Sequence, residues 1–286
     1  MSGAASIGEA WRQASRCIGR GEARSLLEMV CACSHADLIA HPERAMSEDQ
    51  VRHFDALVAR REAGEPLAYL LGSAWFAGLE FAVSPAVLIP RPDTEVLVNL
   101  AAERAARLPA ARIVDLGTGS GIIPIVLSRR CPAAVLTAVD VSAAALEVAR
   151  GNAARYGAAI RFLEGDWYAP LAGERFDLIV SNPPYIADGD PHLAGDGLPF
   201  EPQGALTDHV PGGDGMACLA TIIDGAAAHL SPGGWLLMEH GYDQAVKVRE
   251  RLAAAGFREI ASWRDEAGIE RVSGGSLGEI ADRITG

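Results

Sequence analysis

The chain has 286 residues, 49% of them hydrophobic and 22% charged, with a formal net charge of −12. That length suits a domain of about 200 residues plus a small one, and the composition is that of a globular protein rather than a disordered one. No apolar run reaches the roughly 18 residues that a membrane span needs, and the acidic balance argues against a face built to grip nucleic acid.

The N-terminus, with Glu9 and Arg12 among small residues, lacks the basic-then-apolar layout of a signal peptide. Residues up to about 72 read as helices. Leu26, Leu27, Val30 and Cys31 form one apolar stripe. Ser47 to Gln50 forms a capping box, after which Val51, Phe54, Leu57 and Val58 recur at helical spacing. Arg60, Arg61 and Gly64 end that helix. Such stripes form the core of a small bundle, or a face for a partner. The Gly- and aromatic-rich stretch from Gly72 to Phe81 then reads as a short hairpin. The expected organisation is a helical bundle over 1–72, a hairpin linker over 73–91 and a larger domain over 92–286.

From Pro92 onward helices and strands alternate, which predicts a parallel sheet covered on both faces. Asp93 opens a helix carrying Val96, Leu97, Leu100 and Ala101. Strands are expected near 113–116, 135–139, 160–163, 176–180 and 235–239. Two final strands near 257–263 and 269–273 are joined too closely for a helical crossover, so one must run antiparallel.

The chemistry sits where strands end. Ile113 to Leu116 runs into Gly117, Thr118, Gly119, Ser120 and Gly121, then an apolar helix from Ile122 to about Arg130. Glycines in such a turn let backbone approach a ligand at a helix N-terminus. A dinucleotide fingerprint would need its third glycine at position 122, which is isoleucine. Asp140 ends the next strand, 23 residues after Gly117, close to the roughly 20 expected of an acid that bonds ribose hydroxyls. The third strand ends in Gly165, Asp166 and Trp167. Asp166 could accept from an adenine amino group while Trp167 covers the ring.

The fourth strand ends in Asn182, Pro183, Pro184 and Tyr185. Two prolines make this a stiff corner. The Asn182 side-chain oxygen and a main-chain carbonyl near Pro183 can each accept one N–H of the same –NH2 group, and Tyr185 offers a flat face beside it. Acceptors placed out of an amide plane favour a pyramidal nitrogen with its lone pair free for attack. Between Tyr185 and a helix starting near Gly215 only Gly-, Pro- and Asp-rich sequence follows. A loop of that length is usually functional.

The glycine turn resembles the first motif of class I S-adenosylmethionine-dependent methyltransferases. Taken with Gly64 to Gly72, Val87 to Glu95 (holding Pro90, Arg91 and Pro92), Ser181 to Ile186, and Phe200-Glu201-Pro202 with Ala205 and Leu206, the chain resembles the HemK/PrmC family from about residue 60. The resemblance implies an α/β fold, a Rossmann-like seven-stranded sheet with a small N-terminal helical domain. It implies methyl transfer from S-adenosyl-L-methionine, leaving S-adenosyl-L-homocysteine, to the glutamine side-chain nitrogen in the Gly-Gly-Gln loop of class 1 peptide chain release factors. Gly117 to Gly121, Asp140, Asp166, Trp167 and Asn182 would touch the cofactor. Asn182 to Tyr185 would hold the glutamine, and Pro90 to Pro92 would line the same pocket.

Pro199 and the helix-like tail expected beyond Ser276 depart from the family pattern. An amino-methyltransferase acting on adenine in DNA or RNA, and a catalytically idle cofactor-binding scaffold, are the competing readings. The seven histidines show no zinc-ligand pattern, and His240 reads as structural. Five scattered cysteines fit buried thiols in a reducing cytoplasm.

Overall fold

The computed structural model describes residues 6–195 and 197–278. Two compact units account for them. One takes in the chain through Ser73 together with Ala194–Phe200, the other Ala74–Leu193 and the chain from Glu201.

The first unit holds five helices, α1 (Ile7–Cys17), α2 (Arg20–Cys31), α3 (His35–Ala40), α4 (Glu48–Glu62) and α5 (Leu67–Leu71). Three of them start with a capping box: Ser6 with Glu9, Ser34 with Asp37, and Ser47 with Gln50. Each such cap contributes about 1 kcal/mol. Leu26, Leu27, Leu38, Phe54 and Leu57 bury against Ile7 and Met46, so the two stripes read from the sequence share one core.

The second unit opens with a hairpin, β1 (Ser73–Phe76) and β2 (Leu79–Ala82). Its two turn residues, Ala77 and Gly78, both have positive φ, as a tight two-residue hairpin turn requires. Then come α6 (Thr94–Ala105), β3 (Arg112–Leu116), α7 (Ile122–Arg130), β4 (Val135–Asp140), α8 (Ala143–Tyr156), β5 (Ile160–Glu164) and β6 (Phe176–Ser181). They are followed by α9 (Ala217–His229), β7 (Leu230–Glu239), α10 (Ala245–Ala254), β8 (Phe257–Arg264) and β9 (Glu270–Leu277). The strands form one sheet in the order β5-β4-β3-β6-β7-β9-β8. All pairs are parallel except those of β9, which is antiparallel to both neighbours.

Side-chain alternation splits the core in two. Ile113, Leu178, Val180 and Leu237 pack with Leu97 of α6 and Ile125 of α7. Their sequence neighbours Val114, Ile179, Leu236 and Met238 pack with Leu219 and Ile222 of α9 and Val248 of α10. The central strands β3, β6 and β7 are thus buried on both faces, which is why these segments read as continuous apolar runs.

Two strands run longer than the sequence suggested. β7 begins at Leu230, through a register shift opposite Phe176–Leu178, although Pro232, Gly233 and Gly234 look like a break. β9 continues to Leu277 through Gly274, where a Cβ would fall 2.2 Å from the Leu236 carbonyl oxygen. Glycine there permits close backbone approach rather than ending the strand. The tail beyond that strand, expected to be helical, lies outside the described residues from 279 on.

The stretch after Tyr185 is less bare than expected. Short 3-10 turns occupy Pro191–Ala194, Leu198–Phe200 (with Pro199) and Gln203–Ala205, and Ile186 bridges Thr207. Cys17 is exposed rather than buried, Cys31 is buried, and all five thiols are free.

Candidate active site

The carboxyl ends of β3, β4, β5 and β6 border a cavity of about 350 Å3 lying within the second unit. That lies within the roughly 300–1,000 Å3 of small-ligand sites. The position is the one where open α/β sheets bind ligands.

Backbone builds its floor. Gly117 and Thr118 donate their N–H groups to the Val139 carbonyl at 2.9 and 3.0 Å, so the turn leaves β3 braced on β4. Gly117, Gly119 and Gly121 all have positive φ, a conformation in which a side chain would be strained. The Asp140 carboxylate accepts from Gly119 N–H at 2.8 Å and from Ser142 N–H at 2.9 Å. Burial still raises its proton affinity above the ordinary range. Asn152, fully buried in α8, donates to the Ser120 carbonyl at 2.9 Å and exchanges hydrogen bonds with Ala82 of the hairpin. Sequence reasoning missed Asn152, because nothing local marks a helical asparagine as a brace for a distant turn.

Behind this floor sits an orphan. Asp115 is buried and neither carboxylate oxygen makes a well-formed hydrogen bond, although the buried Thr118 hydroxyl adjoins it. Burial pushes the Asp115 carboxyl up to about 7, partly offset by that hydroxyl. A buried acceptor left unpaired costs about 1–3 kcal/mol, and Asp115 lies beneath the turn rather than in the cavity lining. Asp166 and Trp167 form part of the wall. Trp167 takes positive φ, and its ring lies close enough to Gly117 that a Cβ there would stand 3.4 Å away.

The opposite wall is the proline corner. Ser181 fixes its base by donating to the Leu116 carbonyl at 2.6 Å. Asn182 and Pro184 line the cavity, whereas Pro183 is buried. Tyr185 is partly buried against the core, and its hydroxyl donates to Glu239 Oε1 at 3.1 Å. Its main-chain carbonyl accepts from Gln244 at 2.9 Å. Asn182 Nδ2 donates to Thr94 Oγ1 at 3.2 Å, which leaves the amide oxygen for the cavity.

Pro90 and Arg91 line the cavity too. Glu201, buried, pairs with Arg91 and accepts from Ile89 N–H at 2.9 Å, so the linker is held by the far end of the loop that follows the corner. Cys218 reaches the wall, but burial pushes its thiol up to about 11, which makes it a poor nucleophile. His240 is buried and lies apart from this lining, 2.7 Å from the Ser273 hydroxyl, in the structural place its sequence context suggested.

Residues 92–194 match the methyltransferase small domain and residues 9–72 the PrmC N-terminal domain. The release factor glutamine methyltransferase of Bordetella pertussis is 54% identical over 90% of this chain and 95% of its own length. That of Burkholderia pseudomallei is 49% identical over 90% and 91%. A methyltransferase from Pyrococcus furiosus, 18% identical, superposes over 78% of this chain and 98% of its own with a TM-score of 0.51, a likeness of fold. Among the described residues, no helix is long and apolar enough to cross a membrane.

Proposed function

The chain belongs to the release factor glutamine methyltransferase family, and we propose on that basis that it methylates the glutamine side-chain nitrogen of the Gly-Gly-Gln loop in class 1 release factors. The observation that carries this reading is the Asn182 amide, pinned through its nitrogen to Thr94 so that its oxygen is left for the cavity.

The residues present fit S-adenosylmethionine. The Gly117–Gly121 turn, which lines the cavity through Gly117 to Ser120, would face its methionine portion. Asp140 would take ribose hydroxyls with the lone pairs its two backbone bonds leave over, while Asp166 would accept from the adenine amine. When bound, the cofactor supplies a methyl group already activated on a sulfonium.

The protein's task is then alignment. Asn182 Oδ1 and a main-chain carbonyl at Pro183 accept the two amide hydrogens of the substrate glutamine. Held this way, the nitrogen would keep its lone pair free for a methyl group supplied by the bound cofactor. Methylation would leave one excess proton on the nitrogen, which would pass to water. No strong base is needed beforehand, because the nitrogen becomes acidic only once methylated. The N-terminal helical bundle contributes docking area, since a tripeptide alone offers little. Release factors act in translation, which supports a cytoplasmic location.

The test is competition for label. Incubated with radiolabelled cofactor, an intact release factor and adenine-containing DNA and RNA, the protein should label the release factor alone. Label on adenine with the release factor unmodified would replace this reading with the amino-methyltransferase one.

A further inference from the structure

Asn182 can serve a substrate amide in only one orientation. Rotated by half a turn, it would set its own –NH2 against the substrate's, donor facing donor. At the position of that choice stands Thr94, fully buried, whose hydroxyl oxygen takes the Asn182 Nδ2 hydrogen at 3.2 Å. A hydroxyl is a dependable acceptor only when its own proton is committed elsewhere.

Glu239 stands beside that hydroxyl. Its carboxyl is 1% exposed, Oε1 accepts the Tyr185 hydroxyl at 3.1 Å, and Oε2 is buried with no well-formed bond of its own. The Thr94 hydroxyl faces the same carboxyl and favours its ionised form. Among the charges around it, Asp93 disfavours the ionised form more than Arg271 favours it. Arg271, from β9, bonds Asp265 at 3.0 Å and lies 3.3 Å from Asp93, which stands at the start of α6. Burying a carboxyl without its own cation is costly. A glutamate kept here, touching both ends of the corner, therefore calls for a local role.

We propose that Glu239 and Thr94 are positioning residues, which together hold the Asn182 amide with its oxygen toward the cavity and hold Tyr185 beside it. In this arrangement the Thr94 hydroxyl gives its proton to the carboxyl that already accepts from Tyr185, so both ends of the corner share one anchor on β7. Its consequence for catalysis rests on the glutamine methyl-transfer reading; the orientation of the amide does not.

Two near-isosteric pairs test it. Thr94→Val removes the hydroxyl, Thr94→Ser keeps it, and Glu239→Gln keeps the shape but cannot accept both hydroxyl protons as well. The first readout needs no substrate: solvent exchange of the Asn182 side-chain amide hydrogens, followed by nitrogen-15 NMR and assigned with Asn182→Ala. Exchange should quicken on the order of 10-fold in Thr94→Val and Glu239→Gln and stay near wild type in Thr94→Ser. Single-turnover methyl transfer at saturating cofactor should fall on the order of 10- to 100-fold in the first two, as for a misplaced reacting group. Cofactor affinity and release-factor KM should stay within about twofold. Equal behaviour of Thr94→Val and Thr94→Ser, or unchanged Asn182 exchange in Thr94→Val, would overturn the proposal. Faster exchange in a protein whose wild type leaves release factors unmodified would support the positioning and refute the proposed substrate.

Discussion

The two walls of the cavity are built by different means. On the side of the glycine turn, main-chain N–H and C=O groups of four consecutive residues, Gly117 to Ser120, do most of the shaping, with Asp140 bonded to the Gly119 N–H. On the proline side, the decisive orientation belongs to one side chain, Asn182, and its support comes from Thr94, 88 residues away. Tyr185 likewise leans on Glu239, 54 residues further along the chain. A backbone-built wall tolerates loss of any one side chain. A side-chain-built wall concentrates its function in a few atoms.

Three measurements test that contrast. The largest effect should come from Asn182→Ala. Turnover should fall on the order of 100- to 1000-fold, the scale for removing one preorganised polar group, while release-factor docking changes little. Near-normal single-turnover transfer at saturating cofactor would take the corner out of the mechanism. Asn182→Asp sharpens the point, since a carboxylate could still accept from the amide and strengthen cofactor binding without restoring the rate.

A smaller effect is expected on the other wall. Asp140→Ala should weaken cofactor binding by about 1.5–3 kcal/mol, the range for a charged hydrogen bond. Unchanged affinity in a calorimeter would mean that the ribose contact is wrongly assigned to Asp140.

The smallest effect concerns pH. Asp115 and Glu239 are each raised to about 7 by burial, so between about pH 4 and pH 7 the folded protein holds protons that the unfolded chain has released. Stability of the unliganded protein should therefore fall as pH rises through this window, by at most about 1.4 kcal/mol per pH unit for each group. Thermal unfolding at pH 5.5 and pH 8 measures it. Asp115→Asn should flatten the dependence, and an unaltered slope would show that Asp115 carries no such shift.

The same contrast explains what could be read in advance. Asp140, Asp166 and Asn182 were legible because each ends an apolar strand and all parallel strands point their carboxyl ends to one rim. The glycine turn was legible because its meaning is local. Thr94 sits inside a motif whose outline was recognised, yet nothing in its spacing shows that its hydroxyl meets Asn182. Glu239 ends a strand next to His240 and reads as an ordinary strand terminus. Asn152 and Glu201 act across 32 and 112 residues, to Ser120 and Ile89. The strand ends misjudged at Leu230 and Leu277 share one cause. Glycine and proline mark breaks in most strands, whereas here they serve a register shift and a close backbone contact.

The most direct test is the site of the methyl group on the product. Release factor treated with this protein and S-adenosylmethionine should be digested and sequenced by mass spectrometry, alongside a release factor in which the Gly-Gly-Gln glutamine is replaced by alanine. One methyl group on that glutamine, and none on the alanine variant, is the expected result. A methyl group elsewhere on the release factor, or equal modification of the alanine variant, would contradict it.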